Sequence, residues 1–261
     1  MLLRKDGEAV IAISQPAHAW VSGQLARAWG NADFGRPTPF EDVCFAAEQH
    51  DIGWLCWELA PELDAESGQP KTFMQVPPAT HTALWRDGVQ RARIYGRYAA
   101  LLVSLHADTI YSRFFNFEKA KPQDAAVVRT FLAEQRAFQE TLLATLRSDG
   151  AYAEASAAEA VERNRLLVAA LDWMSLNLCW GVAEETRIPD VPASGAERTE
   201  MRLRPGAAGC VAVDPWPFRT DRVSVQAEGR RLLGRFSEAE AMRRAFDAAE
   251  PVLIRATLAP G

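Results

Sequence analysis

The chain has little histidine and no surplus of positive charge. Four histidines stand among 261 residues, and 29 Lys and Arg against 34 Asp and Glu leave a net charge of −5. Nucleic acid asks for a basic face, so it is not an expected partner. No apolar run approaches the roughly 18–20 residues of a membrane span. Residues 1–7 turn polar too early for a secretory leader, and a cytoplasmic location is expected. The four cysteines, Cys44, Cys56, Cys179 and Cys210, form no close pair. They read as reduced thiols rather than a disulfide framework or a thiolate metal site. Internal repeats and low-complexity segments are absent too. What is present is ordinary for a soluble globular chain: 48% apolar and 24% charged residues,.

Residues 2–13 alternate weakly around Asp6-Gly7, which predicts a type I′ hairpin. Ser14-Gln15-Pro16 opens a helix that carries His18 in its first turn and stops at Gly30. Thr38-Pro39-Phe40-Glu41 reads as an N-cap, a first-turn proline and a capping-box glutamate. Val43, Ala46, Ala47 and His50 follow at helical spacing, and Gly53 breaks the run. A long aromatic loop, punctuated by Pro61, Gly68, Pro70, Pro77 and Pro78, is either a substrate wall or a segment pinned to the core. Two helices meet near Gly96, the first with His81 in its first turn and the second with His106 after an apolar run. Pro122–Arg147 is a long amphipathic helix. Ser156-Ala-Ala-Glu159 reads as a capping box for a helix to Trp180, within which Asp172 is set among apolar neighbours. Beyond Ile188, Pro189 and Pro192 look linker-like. Short strands are expected at 201–204, 210–214, 222–226, 230–234 and 252–258, with a turn at Glu228-Gly229 and a short helix from Ser237. The fold class expected is mainly α: a helical core over 14–190 and a small antiparallel β appendage from 1–13 and 196–261.

The chemistry-bearing residues are His18, His50, Asp51, His81, His106 and Asp172. A histidine at a helix end can simply bond the last carbonyls. A buried imidazole or carboxylate, however, needs a partner or a metal. Four imidazoles and two carboxylates from separate helices suit two divalent ions bridged by a carboxylate and a water or hydroxide, with iron or manganese fitting mixed nitrogen and oxygen donors and zinc also possible.

The order His18, His50-Asp51, His81, His106, Asp172 resembles that of the HD-domain superfamily of metal-dependent phosphohydrolases and related di-iron oxygenases. The resemblance covers residues 14–181. It implies an HD-like helical bundle, with His50-Asp51 as the doublet, His81 and His106 as the extra histidines of dinuclear members, and Asp172 as the closing ligand. Many members carry a lysine where this chain has Trp54, so a phosphate clamp is missing. The chain as a whole also resembles a group of uncharacterised bacterial proteins, through phrases such as Gln49-His-Asp-Ile-Gly-Trp and Leu102-Val-Ser-Leu-His.

The leading expectation is a dinuclear metal-dependent hydrolase of a small phosphorylated metabolite. Asp51 is its central carboxylate, and Glu58 orients water or is a plain loop carboxylate. Trp54 and Trp57 would face the substrate, and Arg91 and Arg97 either meet it or are solvated. One alternative is a di-iron oxygenase acting on a small polar organic substrate, in keeping with the Trp54, Trp57 and Trp85 wall. Another is a non-catalytic ligand-binding or sensor protein.

Overall fold

The computed structural model describes residues 1–207 and 209–261. The chain opens with strands β1 (Leu2–Asp6) and β2 (Ala9–Ile13) and helices α1 (Gln15–Ala28), α2 (Phe40–Gln49) and α3 (Leu55–Glu58). Two short strands, β3 (Leu63–Asp64) and β4 (Gln69–Pro70), precede α4 (Pro78–Tyr95), α5 (Arg97–Phe114), α6 (Pro122–Arg147) and α7 (Ala158–Trp180). Then come β5 (Thr186–Pro192), β6 (Arg198–Pro205), β7 (Val211–Asp214), β8 (Val223–Leu233), α8 (Ala239–Ala248) and β9 (Pro251–Pro260).

The expected bundle with a small β appendage is not what forms. The N-terminal hairpin and the C-terminal strands pair into one curled, seven-stranded mixed sheet of order β1-β2-β8-β9-β7-β6-β5. All neighbours are antiparallel except β7 and β9, which run parallel. Burial alternates strictly along the first half of β8, with Val223, Val225 and Ala227 inward and Ser224, Gln226 and Glu228 outward,. That inner face packs on α1, while α7 lies against β1 and β5. Leu2, Ile13, Val225 and Leu203 share one apolar cluster with Leu25, Leu101 and Leu171 of the helices. The sheet is therefore half of the core and not an attachment to it. On its other face, α8 sets Ala245 and Phe246 against Met1, Ala12 and Leu232.

Local differences have physical reasons. Glu228-Gly229 does not turn. Gly229 lies mid-strand, where a Cβ would stand 2.5 Å from Cγ2 of Ile11 on β2, so it answers close packing and not chain reversal. The linker-like prolines Pro189 and Pro192 lie in β5, at the sheet edge, where a missing N–H costs no ladder bond,. Neither expected capping box forms: α2 and α7 are capped by Pro39 and Ala157. Of the hairpin's turn residues only Gly7 has a positive φ, of 63°, so the turn is not type I′. Ser14 does cap α1, accepting from the Ala17 amide, and the helices at 78–114, 122–147 and up to Trp180 run as expected.

Four helices, α1, α2, α5 and α7, pack against one another around a common interior. α1 turns Gln15, His18, Ser22, Leu25 and Ala26 inward, so its buried stripe is polar at one end,. Every residue of α5 from Tyr98 to Thr109 is buried, which makes it the central helix. The turn after α2 (Ile52–Trp54) lies directly on α4. A Cβ on Gly53 would stand 2.0 Å from the Leu84 carbonyl oxygen, so only glycine fits,. Gly53→Ala is expected to destabilise the fold by about 1–3 kcal/mol by overpacking, lowering the urea midpoint with an unchanged m-value.

Candidate metal centre

The interior of those four helices holds His18 from α1, His50 and Asp51 at the end of α2, His106 from α5 and Asp172 from α7. All five are buried. Their donor atoms form two groups, His18 with His50 and Asp51, and His50 with His106 and Asp172, joined through His50. His18 Nε2 lies 2.9 Å from Asp51 Oδ2 and His50 Nε2 lies 3.6 Å from the same oxygen. His50 Nε2 is also 3.3 Å from Asp172 Oδ1, and His106 Nε2 is 3.5 Å from Asp172 Oδ2. Two ligands each about 2.1 Å from a common ion lie about 3.0–3.4 Å apart, and these separations cluster around that range.

The hydrogen bonds fix which nitrogens are available. Ser175 donates its only hydroxyl proton to the Asp172 carbonyl at 2.8 Å, so His18 Nδ1–H must donate to Ser175 Oγ, also at 2.8 Å,. His50 Nδ1–H donates to the Ala47 carbonyl at 2.8 Å. In a neutral ring each Nε2 is then a bare lone pair, and both face carboxylate oxygens. His50 Nε2 is buried without a hydrogen-bond partner. A lone pair facing a carboxylate is repelled, and either a proton on Nε2 or a metal ion between the groups relieves it.

The charges respond to the same crowding. Burial pushes His50 down, but Asp51 and Asp172 outweigh it and raise its pKa to about 9. Burial would raise Asp172, yet the imidazoles of His106 and His50 beside it hold it well below the usual carboxylate range. Asp51 is lowered against its burial by His50 and His18. His106 is pushed down by burial, and its Nδ1 has no partner.

A cavity of about 400 Å³ opens beside the cluster, with Asp51, His106 and Asp172 among its lining residues. Its walls are mostly aromatic and include Trp54, Trp85, Phe115, Trp173 and Trp180. Phe73 and Met74 of the long proline-rich loop also line it, and Phe73 stacks on Trp180, so that loop is a wall of the cavity.

The remaining candidates fall elsewhere. His81 lines the cavity but belongs to neither donor group. Its Nε2 accepts from the Trp85 indole at 3.2 Å and its Nδ1 pairs with the Tyr111 hydroxyl at 2.8 Å. Burial lowers its pKa to about 4. Glu58 is not among the residues that line the cavity: its carboxylate accepts from the Gln15 backbone amide at 2.7 Å and meets the Met1 amino group at 2.6 Å. Trp57 packs edge-on behind Trp54. Arg91 pairs with Asp87 and Arg97 with Asp149, both outside the cavity. Sequence reasoning missed Gln15, which donates to Asp51 at 3.1 Å, and Tyr111. The signal for Gln15 was its i, i+3 relation to His18.

Fold and cluster together define a mixed helix-and-sheet protein whose interior carries a His/Asp group able to hold a metal ion. More particularly, the chain belongs to the family described as protein of unknown function DUF3891, whose model matches residues 1–233. Comparisons with curated proteins and with solved structures find no match. No described helix is long and apolar enough to cross a membrane.

Glu58→Ala is expected to lower stability by about 1–3 kcal/mol, because it leaves the buried Gln15 amide unpaired. Bound metal per chain, measured by elemental analysis, should be unchanged in that variant. Loss of metal would place Glu58 in the site instead.

Proposed function

We propose that the protein is a metal-dependent hydrolase acting on a small organic molecule in the cavity beside the cluster. His18, His50, Asp51 and Asp172 would hold the ion, with His106 at its cavity side. One observation carries this reading: the Nε2 atoms of His18 and His50 are both bared by their Nδ1 hydrogen bonds and both aimed at carboxylates. A divalent ion bound there supplies Lewis acidity and brings the pKa of a bound water towards neutrality. Ser175 and the Ala47 carbonyl set the tautomers of the two imidazoles, and Gln15 orients the Asp51 carboxylate,. His106 lines the cavity with a free Nδ1 and is the group placed to carry a proton between substrate and cluster,.

The donors are nitrogen and oxygen with no sulfur, which suits iron or manganese, and zinc after them. The five clustered donors support a single ion. The second ion expected with His81 finds no free lone pair there, since His81 Nε2 is taken by Trp85. The order of His18, His50-Asp51, His106 and Asp172 along the chain supports a relation in chemistry to the HD superfamily. A phosphorylated substrate is less supported than an uncharged one. No Lys or Arg lines the cavity, and Trp54 lies in its wall where a phosphate clamp would be,. The same apolar wall favours a second reading, oxidation of a small organic substrate with oxygen at an iron centre.

Protein purified without chelator is expected to carry about one equivalent of iron or manganese by elemental analysis. His18→Ala should abolish that content. Ser175→Ala, which frees the His18 ring, should weaken metal affinity about 10–100-fold. Manganese with release of a hydrolysed product supports the first reading, and visible iron absorbance with oxygen uptake supports the second. A metal-free chain of ordinary stability would sink both and leave a ligand-binding module.

A further inference from the structure

The cavity wall contains a second polar device, separate from the cluster. An indole N–H can only donate, so the 3.2 Å contact from Trp85 makes His81 Nε2 an acceptor,. The neutral His81 ring must then carry its proton on Nδ1, which donates to Tyr111 Oη at 2.8 Å. The Tyr111 hydroxyl proton is therefore not spent on His81. It has no acceptor among the described residues, although Tyr111 is 3% exposed and lines the cavity. A buried hydroxyl proton without an acceptor is costly and is matched by a ligand atom that takes it.

The rest of the wall sets the chemistry of that ligand. Trp54, Trp85, Phe114, Phe115, Trp173 and Trp180 present ring faces and edges, which suit a flat apolar body,. Among the described residues no Lys or Arg lines the cavity, and without a bound ion the two carboxylates at its floor oppose an anionic group,. Its volume of about 400 Å³ falls within the roughly 300–1,000 Å³ of small-molecule sites,.

We propose that this cavity binds an uncharged aromatic molecule bearing a carbonyl or similar acceptor oxygen, and that Tyr111, held by the Trp85–His81 pair, donates its hydroxyl proton to that oxygen. Tyr111 is thus a specificity-determining residue and His81 a positioning residue. The proposal names the substrate class of the metal centre and rests on the cavity being its substrate site. The hydrogen bond itself needs no metal.

Three probes test it: acetophenone, its hydrocarbon counterpart ethylbenzene, and phenyl phosphate. Binding is measured by ligand-observed NMR titration on the full chain, once after chelation and once after metal loading. Acetophenone should bind about fivefold to tenfold tighter than ethylbenzene in both states, the worth of one added hydrogen bond, and tighter than phenyl phosphate after chelation. Tyr111→Phe should erase the preference for acetophenone, leave ethylbenzene affinity unchanged and keep the metal content of the parent. His81→Phe should reduce the preference in the same direction. A preference that survives Tyr111→Phe overturns the proposal, as does tightest binding of phenyl phosphate after chelation, or no binding of either neutral aromatic. The parent protein carries both its neutral probe pair and its metal assay. A protein that takes up no metal yet shows the acetophenone preference defeats the enzyme reading alone. One that loads metal without that preference defeats this inference alone.

Discussion

Two buried imidazoles held with Nε2 against two buried carboxylates are the constraint on which the interior depends. Every neighbouring choice follows from it. Ser175 and the Ala47 carbonyl must take the Nδ1 protons, or the rings could turn their N–H groups to the carboxylates and quench the repulsion. Gln15 must donate inward to Asp51. The four helices that supply the donors are packed by apolar residues immediately beside them, such as Leu171 and Leu102, which removes the solvent that would otherwise screen the charges,. Such an arrangement could hold a metal ion.

Much of this was visible in the residues. With histidine so rare, the coincidence of His18, His50-Asp51, His106 and Asp172 on helical patterns pointed to one centre, and the structure brings these five together. His81 followed the same pattern of a first-turn histidine. Whether it joins a centre depends on the indole of Trp85 one turn later, a contact that helical spacing permits but does not dictate. Arg91 and Arg97 illustrate a different limit. A helical arginine shows no periodic signal for what it meets, and here both meet acidic partners of their own.

The sheet was legible strand by strand but not as a whole. Short strands were expected within β6, β7 and β9, and the union of N-terminal and C-terminal strands was foreseen. Its extent was not, for two reasons. Gly229 looks like punctuation when it is a contact point for Ile11. Pro189 and Pro192 look like a linker when they belong to an edge strand with a bulge before Val191. Glycine and proline report only that something local is unusual, and the cause lies in the neighbouring strand, which a single sequence does not display.

The position of β9 has a further consequence for assembly. It lies between β8 and β7, so it is the seam joining the β1-β2-β8 part of the sheet to the β7-β6-β5 part. During synthesis both parts and all four donor-bearing helices emerge before Pro251–Pro260 does. Until that strand arrives, each half exposes a bare ladder edge beside apolar residues. The nascent chain thus passes through a stage in which its helices are complete while its sheet is split, and closure of the core waits on a segment that contributes nothing to the chemistry.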